Sequence, residues 1–116
     1  MKYIELHTDG VIVIRETTQE SAVVDYETLR SLIEALPDPI GWFEIVRVRA
    51  GGHKYMMIVD EEGLLTGKEY NPAASALYGQ TPSDFIVGDA LVLSDHGDED
   101  MYFLTDEEVK ALFLSI

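Results

Sequence analysis

The sequence predicts an α+β domain: a mostly antiparallel β-sheet with two main helices and one short helix. Three observations carry that class. Short β-branched and aromatic runs recur between turns such as Thr8-Asp9-Gly10 and Ala50-Gly51-Gly52-His53. Two stretches, one after Asp25 and one after Thr105, space apolar residues three and four apart. Between them, Asn71-Pro72 announces a third helix, because Asn caps and Pro is preorganised for the first helical position.

The elements follow in order. Tyr3-Ile4-Glu5-Leu6-His7 and Val11-Ile12-Val13-Ile14 flank Asp9-Gly10 and read as a hairpin. Residues 16–24 read as a loop ending in a short strand at Ala22-Val23-Val24. Asp25 then caps a helix whose apolar face is Tyr26, Leu29, Leu32, Ile33 and Leu36, stopped by Pro37 and a rigid Asp38-Pro39 exit. Trp42 to Val48 and Lys54 to Val59 form two strands joined by the paired glycines, and the broken alternation of the first predicts cover on both its faces. Glu61-Glu62-Gly63 is a turn. The Asn71 helix runs about two turns to Gly79, where a left-handed glycine is expected to end it. Phe85-Ile86-Val87 and Ala90-Leu91-Val92-Leu93 read as strand material broken at Gly88-Asp89. After the acidic loop Asp95 to Asp100 comes the last helix. It opens on a Thr105–Glu108 capping box with Leu104 stapled onto Val109, and it buries Val109, Leu112 and Phe113.

With 116 residues and no linker or repeat, residues 1–116 form a single domain. No apolar run is long enough to cross a bilayer, and the opening Met1-Lys2-Tyr3-Ile4-Glu5-Leu6 lacks the features of a signal peptide. The absence of cysteine removes disulfides and thiolate chemistry and suits a cytoplasmic protein. Eight basic and 22 acidic residues give a net charge of −14. Residues 1–58 carry nine acids and six bases, whereas residues 59–116 carry 13 acids and two bases. Such a surface disfavours direct nucleic-acid binding and is chiefly a matter of solubility.

Few residues offer chemistry. His7, His53 and His96 have no metal-ligand spacing, and no nucleophile pairs with them in sequence. Asp95, Asp98 and Asp100 are weak candidates for a hard cation, but their order does not match a calcium loop. Gly51-Gly52-His53-Lys54 lacks the spacing and the following helix of a phosphate loop. The aromatics Trp42, Phe43, Tyr55, Tyr70, Tyr78 and Tyr102 are expected mostly in the core, with any exposed subset forming a contact patch.

Taken together, Ile40-Gly41-Trp42-Phe43-Glu44, Val59-Asp60-Glu61-Glu62-Gly63, Tyr70-Asn71-Pro72-Ala73-Ala74, Ile86-Val87-Gly88-Asp89-Ala90-Leu91-Val92 and Leu104-Thr105-Asp106-Glu107-Glu108-Val109 resemble a bacterial and phage family, domain of unknown function thirty-eight forty-six. The resemblance covers residues 25–114, with Gly41-Trp42 standing where a Gly-Gly pair is expected. It implies a small accessory domain, often of phage or mobile-element context, and supplies no catalytic residues.

Composition and resemblance together favour a non-enzymatic binding module without a cofactor, acting through a protein partner or as a homo-oligomer. A sheet edge or an aromatic patch would be its contact surface, and Trp42, Tyr70, Asn71 and Asp89 are the candidate surface residues. An acidic DNA mimic that blocks a basic nucleic-acid enzyme is the second expectation. A small-molecule or weakly hydrolytic site near Asn71 and Asp89 is the third.

Overall fold

A computed structural model describes residues 1–79 and 85–116. The chain runs β1 (Lys2–Leu6), β2 (Ile12–Glu16), β3 (Val23–Val24), α1 (Tyr26–Glu34), β4 (Phe43–Ala50), β5 (His53–Asp60), α2 (Pro72–Tyr78), β6 (Ala90–Ser94), β7 (Met101–Tyr102) and α3 (Asp106–Phe113). The class is α+β, as the sequence predicts: among the described residues, three helices pack on one antiparallel sheet of seven strands. Its main path is β2-β1-β6-β5-β4, and β7 pairs with both β6 and the short β3.

Side chains alternate across a strand, so each strand serves two faces. On one face Leu29 and Ile33 of α1, with Leu36 and Ile40 just beyond it, close on Tyr3, Ile58, Leu91 and Leu93. On the other, Ala74 and Leu77 of α2 and Val109 and Leu112 of α3 close on Ile4, Leu6, Tyr55, Met57 and Val92. The centre of the sheet is thereby covered twice. Every residue of β6 is buried, and it is registered between β1 (Glu5↔Leu91) and β5 (Met57↔Val92).

Local chemistry sets the helix starts. Asp25 accepts from Thr28 N at 2.7 Å, Asn71 from Ala74 N at 3.0 Å, and Thr105 with Glu108 completes the capping box. Leu104 and Val109, on either side of that box, share one core. The Asp9-Gly10 hairpin forms in the expected place, with Leu6 opposite Ile12. Gly51 and Gly52 make the two-residue turn of β4–β5, both with positive φ (56° and 81°), the pattern that matches the twist of the flanking strands.

Four local expectations are corrected. β4 is not covered on both faces: it is the sheet's last strand and only Val48 and Ala50 are buried, whereas β5 beside it carries the double cover. Gly79 is extended (φ −76°, ψ 120°), not left-handed: its N–H closes the helix onto Ser75 O, and the chain leaves from there without the left-handed turn. Phe85-Ile86-Val87 is not a strand; Val87 makes a single bridge to Tyr70. Tyr26 and Phe113 leave their helices' buried faces and are 61% and 40% exposed.

Candidate functional site

The exposed side of α1 and the chain that leaves it enclose a groove. Tyr26, Arg30 and Glu34 line one wall, while Ile40, Trp42 and Phe43 line the other, around a cavity of about 370 Å³. Helix spacing puts Tyr26, Arg30 and Glu34 on one stripe. The Pro37-Asp38-Pro39 exit then brings the chain back beside that stripe before it enters β4. Trp42 is 70% exposed, and Tyr26 sits with its ring 5.8 Å from Phe43 at a tilt of 52°. Large aromatics held open to solvent on a rigid frame are the residue types that dominate protein contacts.

The frame is supplied by the turn after β5. Asp60 accepts from Gly41 N at 3.3 Å and from Glu62 N at 2.9 Å, and Glu61 N donates to Trp42 O at 2.8 Å. Lys68 closes the ring, lying 2.8 Å from Asp60 and 3.4 Å from Asp38 and donating to Pro39 O at 2.8 Å. Burial pushes the Asp60 carboxyl up, yet the Lys68 ammonium and the two amides outweigh it and hold it below the ordinary value. Burial likewise lowers Lys68, and Asp60 with Asp38 more than restores it. The turn read from Asp60-Glu61-Glu62-Gly63 is therefore the anchor that positions Trp42.

Beyond the groove lies the outer edge of β4, eight residues long, with no strand paired to it among the described residues. A two-residue turn closes on a hydrogen-bonded pair, here Ala50 and His53. Counting back along the ladder, the backbones of Ile45, Arg47 and Arg49 face outward, away from β5. Their side chains share the α1 side of the sheet with Ile58, Met56 and Lys54, their cross-strand partners. Arg47 holds Asp95 at 2.9 Å. Burial raises that carboxyl, but Gly97 N and Arg47 outweigh it and keep it below its ordinary value.

The other candidate residues are placed elsewhere; none of Tyr70, Asn71 and Asp89 lines the groove. Tyr70 is exposed and tilts against Phe85 at 6.3 Å. Asn71 is fully buried, donating to Leu6 O at 2.8 Å and Gly88 O at 2.9 Å while capping α2. Asp89 is 2% exposed and accepts from Thr8 N and Asp38 N. Asn71 and Asp89 do meet at the Gly88 turn, but their polar atoms are committed to backbone groups. The shallow depression outside them is lined by Thr8, Asp38, Thr66, Lys68 and Glu69, and its one cation is the Lys68 already paired with Asp60.

Asp95, Asp98 and Asp100 are not gathered; among the described residues no group of three potential metal ligands comes together. Asp98 instead accepts from the Tyr102 hydroxyl at 2.5 Å, a bond that, with burial and nearby carboxylates, pushes the phenol up to about 12. His96 stacks on Tyr102 with centroids 3.6 Å apart. Sequence reasoning missed Tyr26 and Arg30, since helical periodicity assigned the first to the core and gave the second no role. The edge position of β4 has no local signal, because it depends on which strand pairs with which.

Residues 8–115 match the family described as Domain of unknown function (DUF3846), so the chain belongs to that family. The match reaches further toward the N-terminus than the resemblance at 25–114 and takes in β2. No curated protein and no solved structure matches the chain.

Proposed function

We propose that this chain is a non-enzymatic binding module whose contact surface is the Trp42 groove together with the free edge of β4. One observation carries the proposal: two exposed aromatic rings, Trp42 and Tyr26, stand beside an eight-residue strand whose outer edge is unpaired among the described residues. A long open edge normally has to be protected or used. An anchor pocket next to it is the arrangement by which a sheet takes up a partner's extended segment. The hydrolytic alternative draws no support from Asn71 and Asp89, whose polar atoms hold backbone groups. Cytoplasmic residence belongs to the same proposal and rests on the cysteine-free sequence. A phage or mobile-element setting rests on the family resemblance.

The test is native mass spectrometry of tagged protein purified gently from its host. Wild type is expected to retain a stoichiometric protein partner that the Trp42→Ala and Tyr26→Ala variants both lose while remaining folded. Identical profiles for wild type and both variants would place the contact elsewhere and refute the proposal.

A further inference from the structure

The β4–β5 hairpin carries an arrangement that folding alone does not explain. Arg49 and Lys54 stand directly opposite each other, both exposed. They occupy a position not bridged by hydrogen bonds, where cross-strand side chains come closest. Like charges in that relation are destabilising. Among the described residues neither has a carboxylate within ion-pair distance; Asp95, already held by Arg47, attracts Lys54 only from further off, and nothing comparable meets Arg49. Arg47, two residues along on the same face, has its charge met by Asp95. Arg30, without an ion pair of its own among the described residues, lines the groove at the other end of the edge. A cationic strip thus follows the open edge of a protein whose net charge is −14.

Resting on the docking surface above, we propose that the occupant of the β4 edge is an extended segment of a partner protein with carboxylates at alternate positions. Paired antiparallel with β4, such a strand sets one side-chain row over Arg47 and Arg49 and the other beside Val46 and Val48. Acidic residues in the first row meet Arg49 and so relieve its repulsion of Lys54, one strand further in on β5, while β-branched residues in the second extend the apolar face. A second copy of the chain fits less well. A symmetric β4–β4 pairing centred on Arg47 sets it against itself, and one centred on Val48 sets Arg47 against Arg49. Centring on Val46 puts Arg47 opposite Ile45 and Arg49 opposite Phe43. No register supplies an acid to either arginine.

The probe is a fluorescein-labelled, acetylated peptide of alternating Glu and Val, eight residues long to match β4, with Thr-Val and Lys-Val versions as controls. Binding is read by anisotropy and by the emission of Trp42, the only tryptophan. Saturable binding of the Glu-Val peptide is expected, with none of the Lys-Val peptide. The exposed double variant Arg49→Glu/Lys54→Glu, checked for native circular dichroism, should weaken it about tenfold, through loss of the Arg49 pair and repulsion from the carboxylates put in place of the two cations. Equal binding of the Glu-Val and Thr-Val peptides, unchanged in the double variant, overturns the acidic chemistry and leaves edge docking standing. Absence of saturable binding for all three peptides to about 1 mM (a bound of roughly −4 kcal/mol) overturns the inference, and the Trp42 and Tyr26 variants then judge the surface separately. A concentration-dependent dimer that shields β4 also overturns it, because a second copy then holds the edge.

Discussion

Replacing Asn71 with alanine separates a structural tether from a ligand-binding side chain. Asn71 is 0% exposed and makes three side-chain bonds, to Leu6 O, Gly88 O and Ala74 N, at 2.8, 2.9 and 3.0 Å. Loss of a cap costs about 1 kcal/mol. Each buried carbonyl left without its donor adds about 1 kcal/mol or more. The three together come to about 3–4 kcal/mol, a large fraction of a stability on the order of 5–15 kcal/mol. With a urea m-value on the order of 1–2 kcal/mol per M, the unfolding midpoint should fall by about 2 M with the slope unchanged. Asn71→Ser keeps a capping oxygen but is too short to reach Leu6 O and Gly88 O, so it should recover only about 1 kcal/mol. A loss below about 1 kcal/mol for Asn71→Ala, or full recovery by serine, would refute the tether.

Other outcomes follow from the same geometry. Trp42→Ala should leave the unfolding free energy from urea titration within about 0.5 kcal/mol of wild type, because the side chain is largely in water; a larger loss would make Trp42 a packing residue. Gly51→Ala should destabilise by about 1–3 kcal/mol in urea unfolding. Its φ is +56°, and a Cβ there would lie 3.0 Å from Ala111 O and Cβ; an unchanged midpoint would contradict the turn geometry. Acid should weaken the fold through Asp25, Asp60, Asp95 and Asp106, whose folded pKa values lie below the ordinary 3.8. The unfolded chain then binds protons more tightly, so this stabilisation is complete well above 3.8 and is lost as pH falls through the folded values. A urea midpoint no lower at about pH 3 than at about pH 6 would contradict it.

The sequence discloses what a few neighbouring residues decide. Asp25, Asn71 and Thr105 act on amides three residues away, and all three caps form as predicted. Gly51-Gly52 likewise fixes its turn by its own dihedral angles. What long-range pairing decides is not legible. The broken alternation of β4 has two explanations, double cover or a half-exposed edge, and only the insertion of β6 between β1 and β5 chooses the second. Tyr26 carries the right helical spacing for the core but lies at the helix's first turn, where the chain beyond Pro39 returns to form a groove rather than a lid. Asp60 looks like turn chemistry, and its role in holding Gly41 beneath Trp42 depends on a residue 19 positions away.

The most direct measurement is amide hydrogen exchange of the protein with and without its captured partner. Added protection should fall on β4, at the outward amides of Ile45, Arg47 and Arg49, and on residues 40–43 beside the groove. Protection confined to α3 or to the loop from Asp95 to Asp100, with β4 exchanging as in the free protein, would contradict the account.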